Sequence, residues 1–240
     1  MTDAPLHILY RDDNYVAVDK PPGMQVHRSW ISEENEVFLL QRLRDQIGQR
    51  VYTIHRLDRP TSGVILFALS SEAARKMCGV FENREVEKTY LAIVRGYTDD
   101  EGHIDYPLQE EPHKPAQEAI TDYRTLAKVE LPIAVGRYNT ARYSLVEIKP
   151  LTGRSRQIRK HFHHIFHPLV GDTSHGEGRH NRLYREHFGI ERLLLHAWTL
   201  RFRHPESGEM MTIRAPLPEE FERLFGEFGW GEDVLLDVSG

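Results

Sequence analysis

A chain of 240 residues in which 40% are hydrophobic and 28% are charged has a globular composition, which excludes an intrinsically disordered protein. The longest apolar run, Val64–Leu69, is far too short to cross a bilayer, and the first residues lack the pattern of a signal peptide. The net charge of −5 argues against a generally basic nucleic-acid binder, and the single cysteine excludes an internal disulfide and predicts a cytoplasmic protein.

The first half of the chain alternates β-forming segments with two helical patterns. HILY and YVAVDK, joined by RDDN and followed by the turn KPPG, predict a hairpin. Apolar spacing predicts a helix over 37–47 that ends at Gly48, and GVILFAL predicts a buried strand. Ser71 is expected to cap a second helix, whose inner side carries Met77 and Phe81.

The second half adds further strands and two more helices. KTYLAIVRG, TDYRTLAKVE and TARYSLVEIKP are rich in β-forming residues. SRQIRKHFHHIF predicts a helix capped by Ser155, with Ile158, Phe162 and Ile165 facing inward. A hairpin that turns at HPESG and a final amphipathic helix follow. Many strands with hairpin connections and few helices predict an α+β fold with a largely antiparallel sheet, in one domain over 1–240.

Basic residues gather between 153 and 185 although the net charge is negative. They are Arg154, Arg156, Arg159, Lys160, Arg179, Arg182 and Arg185, opposed in that segment only by Asp172 and Glu177. Screening limits the reach of each charge to about 8 Å at physiological salt, so a local basic face can bind phosphate even on an acidic protein. An ordinary solvated charged face is an equally good interpretation.

HRLDRPTSG, at His55–Gly63, places Asp58 between Arg56 and Arg59 at the start of a Pro-Thr-Ser-Gly turn. An aspartate on an ordinary solvated surface does not need an arginine on each side and a tight turn after it. From the residues alone two interpretations stay open. Asp58 is a structural ion-pair partner of one of these arginines, or it acts chemically on an anion that they hold.

Two other patterns suggest chemistry but lack essential parts. His161, His164 and His167 lie at near-helical intervals, as zinc ligands can, yet no cysteine pair or HExxH motif accompanies them, so we expect no metal. A hydrolase triad of His55, Asp58 and Ser62 is disfavoured, because triad residues converge from separate segments and the chain has no G-x-S-x-G motif.

Four successive motifs resemble those of the RluA-type pseudouridine synthases. They are HRLDRPTSGV, KTYLAIVRG, LTGRSRQIRKHFHHIFHPLVGD and RLLLHA, and the similarity runs from about Leu9 to Pro216. The resemblance implies that family's fold, a mixed and largely antiparallel central sheet flanked by helices and loops, with a catalytic cleft across it. It also implies an isomerase that converts uridine in RNA to pseudouridine without cofactor or metal. Many relatives carry an N-terminal S4-like RNA-binding domain, and we expect none here.

The resemblance assigns three catalytic residues. Asp58 matches the aspartate that attacks the target uridine, a role suited to a carboxylate because breaking the base–sugar bond develops positive charge on the sugar. Arg159 matches the arginine that pairs with this aspartate and keeps it ionised. Tyr90 matches the tyrosine that stacks on the base and helps to remove the C5 proton, although without the family it would be read as an ordinary strand aromatic.

The resemblance also assigns residues that bind the substrate. Arg56 matches the arginine that enters the RNA stack where the uridine leaves, and Leu195 matches an apolar residue of the uracil pocket. Leu195 alone would be read as plain core. The other expected RNA-binding residues are Arg154, Arg156 and Lys160. Arg156 stands where the motif usually has histidine.

Four further stretches resemble the branch of the family that modifies uridine 65 of tRNA: VHRSW, RDQIGQ, GRYNTARYSLVEIKP and GDTSHGEGRHNR. We therefore expect tRNA as the partner of a monomer, since one chain should hold the complete site. Ribosomal RNA is the alternative target, because relatives with the same motifs modify it. A non-catalytic RNA-binding module, in which the arginines bind backbone and Asp58 is structural, is the alternative class of function.

Overall fold

A computed structural model describes residues 4–27, 38–110, 113–231 and 234–235, which form ten strands and five helices. In chain order they are β1 (Ile8–Arg11), β2 (Tyr15–Lys20), α1 (Leu39–Ile47), β3 (Tyr52–Thr53), β4 (Ser62–Ala68), α2 (Ser71–Glu82), β5 (Val86–Arg95), β6 (Glu101–Asp105), β7 (Ile120–Leu131), β8 (Ala141–Pro150), α3 (Gln157–His164), α4 (Gly178–Phe188), β9 (Leu195–Arg203), β10 (Met210–Arg214) and α5 (Glu219–Phe228). Helices interspersed among mainly antiparallel strands confirm the expected α+β class.

The chain folds into two compact units. Unit 1 comprises Met1–Lys88 and Ala197–Pro216, and unit 2 comprises Thr89–His196 and Leu217–Gly240. In unit 1 the strand order is β1-β2-β4-β9, with β3 beside β4 and β10 beside β9. In unit 2 the order is β5-β8-β7-β6, and each of these pairings is antiparallel.

Strand β4 is the centre of unit 1. All seven of its residues are buried, because β2 and β9 pair with its two edges and α2 packs on it, so a continuous apolar run is the pattern expected there. At its start Gly63 has φ +109°, and a Cβ at this position would lie 2.1 Å from the carbonyl oxygen of Ala197. Only glycine allows the backbone of β9 to approach so closely.

Unit 2 is built around a cluster of apolar side chains between its sheet and α3. Ala92, Val94, Val146 and Ile148 contribute from the strands, and Ile158 and Phe162 from the helix. Ile165 is half-buried and packs against the same cluster, which confirms the predicted inward side of α3. Complete burial of a side chain the size of Phe162 stabilises the fold by about 1.5–3 kcal/mol.

Two predicted helix caps are wrong. Ser70, rather than Ser71, caps α2, and its Oγ accepts a hydrogen bond from the N–H of Ala73. Either of two adjacent serines can cap, and Ser70 is the one with the extended backbone that a cap requires. Ser155 lies too early to cap α3, because the cap position is occupied by Arg156, which has a left-handed backbone and no acceptor in its side chain.

The other predicted elements are found, and three unpredicted ones join them. The hairpins β1–β2 and β9–β10 are present, and α1 ends at Gly48, whose N–H donates to the carbonyl of Arg44. Val37, at the predicted start of α1, lies outside the described residues. The short strands β3 and β6 and the helix α4 were not predicted. The helix α4 buries only His180, Leu183 and Tyr184 and so has little apolar periodicity.

No helix in the described part of the chain could span a membrane.

His55 is a half-buried histidine of unit 1 whose ring has defined partners. Its Nε2 accepts a hydrogen bond of 3.0 Å from the N–H of Leu66, and its ring stacks on Phe81 with centroids 4.6 Å apart. Burial, together with repulsion from Lys88, lowers the pKa of His55 to about 3. The histidine is therefore neutral in the folded protein across the whole physiological range.

Replacing His55 should flatten the loss of stability in acid. Unfolding lets His55 bind a proton near pH 6.5, so the stability that it provides is complete above that pH and is lost as the pH falls towards 3, by up to about 1.4 kcal/mol per pH unit. We expect His55→Gln, which keeps an acceptor for Leu66, to reduce the difference in unfolding free energy between pH 7 and pH 5, measured by urea denaturation. The same difference in both proteins would contradict this prediction.

Candidate active site

The segment between β3 and β4 carries Asp58. Leu57 is buried and anchors the segment, while its neighbour Arg56 is exposed. Asp58 itself is half-buried, so this residue is partly exposed to solvent. Its backbone lies between the buried residues Leu57 and Thr61.

Hydrogen bonds between backbone groups fix the turn that follows Asp58. The N–H of Thr61 donates to the carbonyl of Asp58 at 3.1 Å. Gly23, in the KPPG turn after β2, donates its N–H to the carbonyl of Arg59 at 2.9 Å, and the Nε of Arg59 donates back to the carbonyl of Gly23 at 3.0 Å. The two turns thus hold each other.

A buried lysine strengthens this arrangement. Lys20, the last residue of β2, is fully buried and lies opposite Gly63 of β4. Its ammonium donates to the carbonyl oxygens of Pro21, Arg59 and Thr61 at 2.9, 3.0 and 2.7 Å. A buried charge is tolerated only when its donors are satisfied, and these three carbonyls satisfy the ammonium. As a result the backbone that carries Asp58 is fixed to β2.

In unit 2, Arg159 projects from α3 into the interior. Its Nε and Nη2 donate to the Oδ2 and Oδ1 of Asp172 at 2.7 and 2.8 Å, and both side chains are buried. This two-point contact fixes the plane of the guanidinium as well as its position. The predicted pair between Arg159 and Asp58 stays a prediction.

In the sequence Asp172 is only a negative charge among the basic residues of 153–185, whereas in the structure it is the partner of Arg159. Burial raises its pKa, but hydrogen bonds from Arg159 and from the N–H groups of His175 and Ser174 outweigh burial and leave the pKa below the ordinary value. The carboxylate is therefore ionised at neutral pH. The GD pair at 171–172 was the only signal in the sequence, and it does not reveal the partner.

Tyr90 and Leu195 meet the same cluster of apolar side chains. Leu195 is a member of it and only 3% exposed, and the half-buried Tyr90 packs against it, as does Ile165 at the end of α3. Unit 2 thus gathers Tyr90, Leu195 and the helix of Arg159, whereas Arg56 and Asp58 belong to unit 1. The burial of Leu195 fits a core role equally well, so its contact with uracil stays a prediction.

The three basic residues expected to bind RNA differ in their surroundings. The Nε of Arg154 donates to the carbonyl of Glu118 at 3.0 Å, and the Nζ of Lys160 donates to the carbonyl of Gln109 at 3.3 Å. Both side chains are half-buried, whereas Arg156 is exposed. Arg159 is buried, so it does not belong to the solvent-facing part of the basic segment.

The histidines of HFHHIFH have separate partners. The Nδ1 of His161 bonds to the hydroxyl of Thr121 at 2.9 Å, and its Nε2 donates to the carbonyl of Tyr106 at 3.0 Å. Burial lowers the pKa of His161 and favours this neutral form. His164 stacks on the ring of Tyr106, and His167 bonds to a backbone carbonyl. Within the described ranges no three His, Cys, Asp or Glu side chains form a group that could hold a metal.

The alternative of a hydrolase triad fails on the geometry of His55. Its Nε2 already accepts the N–H of Leu66, so that nitrogen cannot take a proton from Ser62. The low pKa of His55 also makes it a poor base.

The sequence does not indicate the unusual surroundings of Lys88, which lies two residues before Tyr90 in β5. Burial and the neighbouring Arg84 lower the pKa of Lys88 to about 8. The KTY motif was the only signal for this lysine, and nothing in that motif predicts burial.

Comparison with known proteins agrees with the motifs. The family model described as RNA pseudouridylate synthase matches residues 14–164, which include Asp58, Tyr90 and Arg159. A protein of Vibrio cholerae named tRNA pseudouridine synthase C is 53% identical over 243 residues, covering 97% of this chain and 100% of the relative. One of the same name from Haemophilus ducreyi is 52% identical over 235 residues, covering 94% of this chain and 96% of the relative.

A solved structure extends the agreement to the fold. Human RNA Pseudouridylate Synthase Domain Containing 1 superposes with a TM-score of 0.70 at 25% sequence identity, covering 96% of this chain and 98% of the human one. The resemblance noted from four motifs is thereby confirmed along nearly the whole sequence. The chain is an isomerase that belongs to the RNA pseudouridylate synthase family, of the RluA type.

Proposed function

We propose that this chain converts uridine 65 of tRNA into pseudouridine, with Asp58 as the attacking residue. The observation that carries the proposal is the half-buried residue Asp58, on a backbone that Lys20 and Gly23 hold in place. The choice of tRNA is supported by relatives about half identical in sequence, which are named tRNA pseudouridine synthase C. The four stretches that resemble the uridine-65 branch support the position.

The chemistry requires a carboxylate and little else. The reaction breaks the N1–C1′ bond of one nucleotide, forms a C5–C1′ bond in its place and moves a proton from C5 to the base nitrogen, so no atom is gained or lost. Positive charge develops on the sugar as the first bond breaks, and a close carboxylate stabilises or traps that centre. A carboxylate on a fixed backbone needs little reorganisation as the charge appears.

Arg159 is the proposed partner of this carboxylate. A guanidinium has five N–H donors, and Asp172 uses the Nε and one Nη2 donor. One arginine can therefore serve two carboxylates. In this proposal Asp172 is a positioning residue, which sets the plane of the Arg159 guanidinium.

The remaining residues act on the RNA. Arg56 is exposed, as required of a side chain that takes the place of the flipped uridine, and a planar cation recovers part of the stacking that flipping loses. Tyr90 is proposed to stack on the uracil and to assist removal of the C5 proton. We propose that the enzyme works as a monomer, in the cytoplasm, on tRNA.

Replacing Asp58 tests its catalytic role. We expect Asp58→Ala to abolish pseudouridine formation in tRNA transcripts while leaving the dissociation constant for tRNA within about twofold, because the carboxylate reacts with the substrate but is not the main source of RNA affinity. Release of tritium from C5-labelled uridine measures turnover, and filter binding measures affinity. Asp13→Ala, at an exposed aspartate of the same unit, is the control and should behave as the wild type. Turnover by the Asp58 variant would refute the mechanism.

Replacing Asp172 tests its positioning role. Asp172→Asn removes a buried counter-charge that bonds Arg159 at two points, which should reduce the free energy of unfolding by about 3 kcal/mol. At a temperature where the variant is fully folded, we expect kcat to fall at least tenfold with KM for tRNA nearly unchanged. Asp100→Asn is the matched control, since its ion pair with Lys128, at 2.9 Å, is exposed and worth less than about 1 kcal/mol. An unchanged kcat in folded Asp172→Asn would show that Asp172 is structural only.

The substrate is tested in cells that lack the gene. Mapping pseudouridines in total tRNA and ribosomal RNA should find uridine 65 unmodified in tRNA and the ribosomal positions unaffected. Restoring the wild-type gene should return the modification, and restoring the Asp58→Ala gene should not. Loss confined to ribosomal RNA would overturn the tRNA assignment.

A further inference from the structure

Phe166, which lies just after α3, has an unusual backbone and an unusual exposure. Its φ is +64°, in the left-handed region, and the residue is 84% exposed. Large apolar side chains are seldom this exposed, and non-glycine residues seldom adopt this backbone. Both features occur at one residue in the basic segment.

The hydrogen bonds around Phe166 define the motif that ends α3. The N–H of His167 donates to the carbonyl of Phe162 at 2.8 Å, and the N–H of Phe166 donates to the carbonyl of His163 at 3.1 Å. This pair of bonds is the Schellman motif, whose left-handed position is usually glycine. Folding alone would therefore favour glycine at 166, because the phenylalanine is strained there and its exposed ring gains little from burial.

The solvent-facing side of α3 carries cations and a second aromatic group. Arg156, Lys160, His163 and His164 have the spacing i, i+4, i+7 and i+8, which places them on one face of the helix. His164 stacks on Tyr106 with ring centroids 3.6 Å apart and an interplanar angle of 15°, and Tyr106 is 41% exposed. No carboxylate is seen in an ion pair with Arg156 or Lys160 among residues 4–27, 38–110 and 113–231.

We propose that Phe166 and the stacked pair of Tyr106 and His164 form a platform on which bases of the substrate RNA other than the target uridine stack. Arg156 and Lys160 bind the phosphates beside those bases. RNA matches this surface because every base offers a flat π-face and every nucleotide a negative charge, whereas a protein partner would need carboxylates placed against both cations. The inference rests on the proposed function, since it concerns a second contact of the same RNA.

Phe166→Gly separates RNA binding from folding. Glycine relieves the strained backbone, so the melting temperature should be equal to or higher than that of the wild type. Loss of one stacked base should weaken the dissociation constant for tRNA by roughly five- to a hundredfold, with KM rising in parallel and kcat unchanged. Tyr97→Ala is the matched control, because Tyr97 is also an exposed aromatic residue of unit 2, at 39%, lies outside the four stretches that resemble the uridine-65 branch, and should have no effect on tRNA affinity.

Salt dependence identifies the kind of contact that is lost. Removing a stacking residue should leave the slope of log Kd against log salt concentration unchanged, whereas Lys160→Gln, which removes one phosphate contact, should reduce that slope by about 0.7–0.9. A changed slope in Phe166→Gly would overturn the stacking assignment.

The outcomes also distinguish this inference from the proposed function. If the wild type modifies tRNA and Phe166→Gly binds tRNA as tightly as the wild type, the platform is refuted and the proposed function stands. If the wild type forms no pseudouridine in tRNA, the proposed function fails before the variant is compared. A lower melting temperature in Phe166→Gly would refute the argument that the side chain is not needed for folding.

Discussion

The site depends on one buried ammonium group and the three carbonyl oxygens that receive its protons. Lys20 ends β2 opposite Gly63, and its donors reach the backbone on both sides of Pro60. Without the ammonium the carbonyl of Arg59 would keep only its bond from Gly23, and those of Pro21 and Thr61 would lose this donor, at a cost of about 1–3 kcal/mol for each one left buried and unsatisfied. The cation and the loop therefore stabilise each other, and Asp58 is attached to a backbone with little freedom. Loops are usually the mobile part of a fold, so a catalytic loop needs such an anchor.

In unit 2 a buried charge also holds a neighbouring group in place, but there the buried group is an anion and not a cation. There the buried carboxylate of Asp172 accepts two hydrogen bonds from Arg159 and two from backbone N–H groups. The group that is held in place is therefore a side chain, whereas in unit 1 it is a loop. A buried ion pair adds little net stability, because removing both charges from water offsets their attraction. The ion pair instead fixes the orientation of Arg159, since a guanidinium held at two points can present its remaining edge in only one orientation.

Stability and the proposed RNA binding make opposite demands at the end of α3. The inward side of the helix packs Ile158 and Phe162 into the core, while Phe166 places an aromatic ring in solvent on a backbone that suits glycine. One short helix thus supports the core, holds a buried arginine and presents cations to the outside. The strain is local, and the packing of the inward residues tolerates it.

Local patterns determined much of this protein. The continuous apolar run of β4, the inward stripe of α3 and the glycine that ends α1 follow from side-chain size and backbone freedom within a few residues, and the motif residues could be assigned by resemblance. The partners of Lys20 and Asp172 could not be found in this way. The contacts of Lys20 depend on segments that lie apart in sequence, such as Lys20 and Thr61. The contact of Asp172 depends on which of several basic residues turns inward, as Arg159 does. Only the tertiary structure decides these contacts, because burial determines which charges must be paired, and burial is a property of the packed fold.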